Sequence, residues 1–150
     1  MISKKDVMDA VFCLLRGAFP DDDIHADLCP AGFDRPAFLI ETPRMERSPV
    51  NCNTVEERLD LTITCFVQVD DWHRSAAEDL AARQEAALEL FRDGVILTGG
   101  RAVRCDASSG GMDFDRAWVD LTVRYWETRR APEPSPAIGE IEINTEYQEG

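Results

Sequence analysis

One stretch of the chain alternates between apolar and polar residues, "ERLDLTITCFVQVDD" at residues 57–71. One set of alternate positions is apolar (Leu59, Leu61, Ile63, Cys65, Val67 and Val69), and the other is mostly polar (Asp60, Thr62, Thr64 and Gln68). Side chains of a β-strand point alternately to the two sides of the sheet, so this strand buries one face and exposes the other. The sequence therefore predicts an antiparallel sheet that is covered on one side only.

Two amphipathic segments are expected to supply the cover. Ser3 followed by Asp6 is typical of a capped helix start, and Gly17 and Pro20 end the segment. A second helix is predicted over residues 75–92. The apolar stripes at helical spacing are Val7, Ala10, Val11, Leu14, Leu15 and Ala18 in the first helix, and Ala77, Leu80, Ala81, Gln84, Leu88 and Phe91 in the second.

The remaining ordered segments read as strands. Short strands are predicted at residues 24–29 and 36–42, and a hairpin at residues 101–107 and 116–129 with its turn at "SSGGMD". The order is helix, three strands, helix, two strands. This order predicts an α+β fold, a largely antiparallel sheet of about five strands with both helices packed on one face. We expect one domain over residues 1–130.

Residues 131–150, "APEPSPAIGEIEINTEYQEG", differ in composition from the rest. They contain three prolines, five glutamates and no basic residue. This composition is typical of a linker and a solvated acidic tail. Ile138, Ile141, Ile143 and Tyr147 also alternate imperfectly with polar residues, a pattern that fits a strand added to a neighbouring sheet edge. Both interpretations stay open at this stage.

The formal net charge is -13, from 16 Lys and Arg against 29 Asp and Glu. This charge disfavours general binding to nucleic acids and to anionic membranes. No apolar run approaches the roughly 20 residues that a membrane-spanning helix needs. The sequence has five cysteines, an odd number, and none of them form a Cys-x-x-Cys pair. This pattern favours an intracellular protein with reduced thiols.

The sequence contains no strong signal for catalysis or for a cofactor. His25 and Cys29 are the one pair with spacing near that of a zinc site, and the second pair is missing. The glycine-rich stretches "TGGRAV" and "SSGGMD" connect strands, so neither precedes a helix that would receive a phosphate. We therefore predict no catalytic residue, no cofactor and no metal ligand.

Contact surfaces are the remaining functional signal. Trp118 and Trp126 fall on the polar side of the last strand, together with Asp120 and Arg124. Large aromatic residues beside arginine are typical of a contact patch, although a helix or the carboxy-terminal segment of the same chain would also explain them. Trp72 is a further candidate, next to Asp70 and Asp71.

The order of these segments resembles a known family. The helix ending in "LLRGAFP" is followed by "DIHADLC", by "AGFDRPAFLIETP", by the long alternating strand, and by a hairpin ending in "WVDLTVRYW". Its most specific piece is Gly-Phe-x-x-Pro-x-Phe-x-Ile, at Gly32, Phe33, Pro36, Phe38 and Ile40. Over residues 1–130 the chain resembles the tail terminator proteins of tailed bacteriophages and prophages.

The resemblance implies a small α+β subunit that forms a ring, commonly a hexamer, at the head-proximal end of the virion tail. The ring contacts the tail tube protein and stops its polymerisation. It also offers a surface to the neck or connector proteins of the head. Such a subunit is assembled in the host cytoplasm, and it carries no cofactor and no catalytic residue.

Candidate ring contacts follow from the charged segments. The loop predicted at residues 43–54 projects from the body and carries Arg44, Glu46 and Arg47. A ring needs one surface to complement a different one on the neighbour, so basic residues are expected to face acidic ones. The candidates are Arg44, Arg47, Arg101 and Arg104 on one side, and Asp70, Asp71 and Asp93 on the other.

Three other classes are compatible with the same residues. One is another virion component of the neck or head-completion type. The second is a small α+β enzyme or ligand-binding domain, which would show a deep pocket with convergent polar groups. The third is an acidic binding protein of the toxin or immunity type that takes one basic partner.

Overall fold

The computed structural model describes residues 2–28, 31–72 and 74–128. The helices are α1 (Lys4–Ala18) and α2 (Ala77–Glu89). The strands are β1 (Asp23–Ala26), β2 (Ala37–Asn51), β3 (Thr54–Phe66), β4 (Val95–Thr98), β5 (Arg101–Met112) and β6 (Ala117–Thr128). The acidic tail predicted at residues 131–150 lies outside the described residues, as do Cys29 and His73.

The strands form one sheet in the order β1-β2-β3-β6-β5-β4. Four of the neighbouring pairs are antiparallel, and β1 runs parallel to β2. The α+β class is therefore confirmed. The predicted count of about five strands is corrected to six, and the sheet is mixed because β1 joins it in the parallel direction.

The alternation predicted for β3 is confirmed by burial from Leu59 to Ile63, whereas Thr64 is buried and the strand ends at Phe66, before Val67 and Val69. Leu59, Leu61, Ile63 and Cys65 are buried, and their neighbours across the sheet on β6 are apolar as well. Helices α1 and α2 pack on this face, where Val7, Val11 and Leu15 of α1 and Ala87 of α2 join the same core. We call this side of the sheet the covered face.

Helix α1 begins where the sequence predicts. The Ser3 hydroxyl accepts a hydrogen bond from the Asp6 backbone N–H (3.1 Å), and the Asp6 carboxylate accepts one from the Ser3 backbone N–H (2.9 Å). These reciprocal bonds satisfy two of the donors that a helix start leaves free. The hydrogen bond from the Ser3 backbone also lowers the pKa of Asp6.

Two predicted boundaries are wrong, and one strand was not predicted. Residues 43–51 continue β2 and pair with β3, where the sequence predicted a loop. Residues 108–112 belong to β5 rather than to a turn, and the chain reverses at Asp113, whose N–H bonds to the Arg116 carbonyl. Strand β4 was missed between the second helix and "TGGRAV". The charged and glycine-rich segments are strands because their partners across the ladder supply backbone hydrogen bonds that composition does not reveal.

The "GFDRPAF" motif holds two strand ends together. The Arg35 guanidinium donates hydrogen bonds to the Val67 carbonyl (3.1 Å), just after β3, and to the Asp115 carbonyl (3.0 Å), just before β6. The Phe33 ring packs against that of Phe66 with centroids 4.6 Å apart. Gly32 adopts a φ of 72°, which a residue with a side chain rarely takes. The motif therefore fixes the end of the sheet from which β2 starts.

Candidate interaction surface

The second side of the sheet, which we call the open face, carries no helix among the described residues. Its side chains alternate with the buried ones, so the register of the strands places them in rows. They are Leu39, Glu41, Arg44, Glu46 and Ser48 of β2; Glu56, Arg58, Asp60, Thr62 and Thr64 of β3; Trp118, Asp120, Thr122, Arg124 and Trp126 of β6; and Arg104, Asp106 and Ser108 of β5.

Several side chains of the open face form ion pairs with their neighbours. Arg58 pairs with Asp60 at 3.2 Å, and Arg104 pairs with Asp106 at 3.1 Å. Arg44 and Glu46 form a third ion pair along β2. Each pair joins residues two apart on one strand and is at least partly exposed. Exposed ion pairs of this kind contribute about 0–1 kcal/mol, so they do little to hold the fold.

Three arginines lie side by side across the middle of the sheet. Arg58 of β3 is opposite Arg124 of β6, and Arg124 is opposite Arg104 of β5. Arg58 and Arg104 each have an aspartate partner, whereas Arg124 has no ion-pair partner among the described residues. Like charges directly opposite each other destabilise a sheet. We call these three residues the arginine row.

A groove of about 410 Å³ lies beside the arginine row, where β5 begins and β6 ends. Arg104, Arg124 and Trp126 line it together with Ala102. The Trp126 side chain is 57% exposed, and its indole N–H donates to the Glu56 carboxylate at 3.2 Å. The groove therefore combines the Arg124 guanidinium and the Glu56 carboxylate with an exposed aromatic surface.

The two tryptophans of β6 do not form a single patch. They are eight residues apart on one strand, which is roughly 26 Å at the usual rise. Trp118 packs against Gly110 and Gly111 of β5, and a Cβ added at Gly110 would lie 2.5 Å from the indole Nε1. Trp126 is the exposed member of the pair. Trp72 lies outside the sheet, after β3, and is 80% exposed.

The β2–β3 hairpin from Arg44 to Asp60, which we call the arm, extends beyond β1. Strand β1 pairs with β2 only as far as Ile40, so among the described residues the arm has a free backbone edge along β2. Arg47 donates from Nε to both carboxylate oxygens of the buried Glu57, at 2.7 and 2.8 Å. Arg44 is exposed and Glu46 is half-buried on the other face of the same strand. Strand β3 of the arm pairs with β6 as far as Thr54 opposite Thr128, so the segment predicted as a projecting loop is part of the sheet.

The other candidate residues lie apart from the arm. Arg101 binds the buried Glu127 carboxylate at 2.5 Å and the Trp126 carbonyl at 2.8 Å. The Asp70 carboxylate accepts from the backbone N–H groups of Trp72 and Arg74, and Asp71 is exposed beside it. The basic candidates therefore lie on two strands, β2 and β5, toward opposite edges of the sheet.

Sequence reasoning missed the arginine row and its groove. Arg124 was placed correctly on the polar side of β6, but Arg58 and Arg104 are far from it in sequence. Their alignment depends on the pairing register of three strands. That register is set by tertiary packing, so no local pattern predicts it.

A groove of about 710 Å³ lies between α1 and β4. Asp6, Asp9 and Asp93 stand at its rim, and Ala10 and Leu97 are among the apolar residues that line it. In the part of the chain that the structure describes, no group of three or more His, Cys, Asp or Glu residues is arranged to hold a metal ion. Neither described helix is long and apolar enough to cross a membrane.

Four of the five cysteines are described, and all four are free thiols. Cys65 and Cys105 are part of the core, and burial raises the pKa of each to about 12. Cys13 and Cys52 are exposed. The buried pair acts as apolar packing rather than as reactive thiols.

Comparison with known proteins adds little. No protein-family profile and no curated protein matches the sequence. One solved structure aligns with 89% of this chain and 100% of its own length, at 17% identity and with a TM-score of 0.44. That protein carries no functional name, and a likeness of this size carries no information about activity.

Proposed function

We propose that the chain is a structural subunit of a phage tail, which forms a ring, ends the polymerisation of the tail tube and provides the surface for joining the head. The sequence order and the Gly-Phe-x-x-Pro-x-Phe-x-Ile motif support this function. Its expected partners are copies of itself, the tail tube protein and a neck or connector protein. It acts by contact and needs no cofactor.

The observation that carries the proposal is a pair of different surfaces toward opposite edges of the sheet. One is the free edge of the arm, with Arg44 and Arg47. The other is a groove of about 530 Å³ beside β5, whose lining includes Glu85, Glu89, Arg92 and Asp106. A ring requires two different surfaces that complement each other, and these two differ in kind: one is a backbone edge and the other is a groove.

Immunogold electron microscopy of the phage that encodes the chain tests this location. We expect antibodies against the protein to label one site per particle, at the junction of head and tail. The matched control is the same serum on particles from which the gene has been removed. Labelling of the capsid or of the distal tip, or its absence from purified particles, would refute the proposal.

A further inference from the structure

We propose that the acidic segment around Glu140 binds the arginine row of its own chain, with Ile138 against Trp126 and Glu140 against Arg124. This inference concerns the body and tail of one chain, and it does not rest on the proposed function. Four observations carry it: the charge of the row, the aromatic surface beside it, the place where the chain leaves the sheet, and the spacing of the tail residues.

The first observation is the charge of Arg124 within the arginine row. Arg124 lies between Arg58 and Arg104 and has no ion-pair partner among the described residues. A carboxylate placed over Arg124 would relieve this repulsion and form charge-assisted hydrogen bonds. Residues 131–150 contain five glutamates and no basic residue, so they complement the row. The larger groove beside α1 is rimmed by aspartates and would repel the same segment.

The second observation is where the described chain ends. Strand β6 ends at Thr128, two residues beyond Trp126 and four beyond Arg124. Arg124 is therefore roughly 13 Å back along the strand from that point. Residues 129–137 separate the strand from Ile138, and nine residues are enough for the chain to reverse over this distance. The tether raises the effective concentration of the segment at its own groove above that of another copy in dilute solution.

The third observation is a match of spacing. Trp126 and Arg124 are two residues apart on the open face of β6, and Ile138 and Glu140 are two residues apart in the tail. In an extended chain both pairs project to one side with a separation of roughly 6.6 Å. A tail that runs back over β6 thus places its apolar residue on the indole and its carboxylate on the Arg124 guanidinium.

Limited proteolysis of the full chain with proteinase K, followed by mass spectrometry, tests the contact. Cleavage within residues 138–147 reports the fraction of time that the segment is released. We expect cleavage of the wild-type tail to be about tenfold slower than that of the Arg124→Glu variant, and high salt to remove the difference. Arg92→Glu is the matched control because it makes the same charge change on an exposed residue of the turn after α2.

Exchanging the charges of residues 124 and 140 separates loss of the contact from any effect of Arg124→Glu on the stability of the sheet. Glu140→Arg lies outside the sheet and should speed cleavage as Arg124→Glu does, whereas the double variant should restore protection. Equal cleavage in all four proteins would overturn the proposal. Protection that appears only as protein concentration rises would also overturn it, because the segment would then occupy another copy.

Discussion

The two faces of the sheet are made from alternate residues of the same strands, yet they are held in different ways. On the covered face, Leu61 and its neighbours are removed from water, and their burial stabilises the fold. On the open face, Thr62 and its neighbours form hydrogen bonds and ion pairs that water can replace. The covered face therefore determines the fold, whereas the residues of the open face can change at small cost and are available for contacts.

The largest expected difference between the faces is in the response to truncation. Leu61→Ala should lower the free energy of unfolding by about 2–5 kcal/mol, since it opens a cavity in the core. Thr62→Ala, the adjacent residue on the open face, should cost below about 1 kcal/mol. Urea unfolding monitored by circular dichroism measures both. Similar costs for the two variants would show that the open face is covered in the folded protein.

A smaller effect is expected where the open face is tightly packed. Gly110→Ala should destabilise the protein by about 1–3 kcal/mol, because its Cβ meets the Trp118 indole. Gly17→Ala has open space around its Cβ in α1 and should stabilise by roughly 0.5–1 kcal/mol. Thermal unfolding of the two variants should thus shift in opposite directions.

A double-variant cycle identifies the cause of the Gly110 effect. In a Trp118→Ala background, the cost of Gly110→Ala should shrink, since the two positions are in contact. An unchanged cost would assign the effect to the backbone of β5 instead.

The smallest expected effect is a dependence on pH near the "GFDRPAF" motif. Hydrogen bonds from the Arg116 guanidinium to the Asp115 carboxylate lower the pKa of Asp115 below its ordinary value of 3.8. The ionised carboxylate therefore stabilises the folded state at pH values above 3.8, and this contribution is lost as the pH falls through the lower folded pKa.

Asp115→Asn tests this dependence. The variant should be less stable than the wild type at neutral pH, and the difference should narrow as the pH falls below about 4. Asp21→Asn, at an exposed position before β1, is the control for the loss of a negative charge. If the difference in stability between Asp115→Asn and the wild type stayed constant down to pH 2, the charge of Asp115 would not contribute to stability and the prediction would be wrong.

The elements with strong local signals were predictable from the sequence. The Ser3 cap, the helical stripes and the alternation of β3 each depend on near neighbours in sequence. The cap is confirmed, and the stripes are confirmed at their central residues, whereas Ala18 and Ala77 at their ends are exposed. The arm was misread because Arg44, Glu46 and Arg47 resemble a solvated loop, whereas pairing with β3 makes them a strand. Strand β4 is too short for its period to be recognised.

The candidate surface was predictable only one residue at a time. The positions of Trp126 and Arg124 on the polar side of β6 could be read from the alternation. Their relation to Arg58 and Arg104 depends on which strands are neighbours and in which register they pair. Trp118 was read as a contact residue, but the approach of Gly110 and Gly111 places it in a packed site. Such long-range pairing is decided by the whole core.

Removal of the gene from the phage or prophage that encodes it tests the proposed function most directly. After induction, electron microscopy should show overlong or irregular tails beside separate, DNA-filled heads, and a plasmid copy of the gene should restore normal particles. Tails of normal length joined to heads would contradict the account. Normal tails beside unjoined heads would contradict termination and favour a neck component instead.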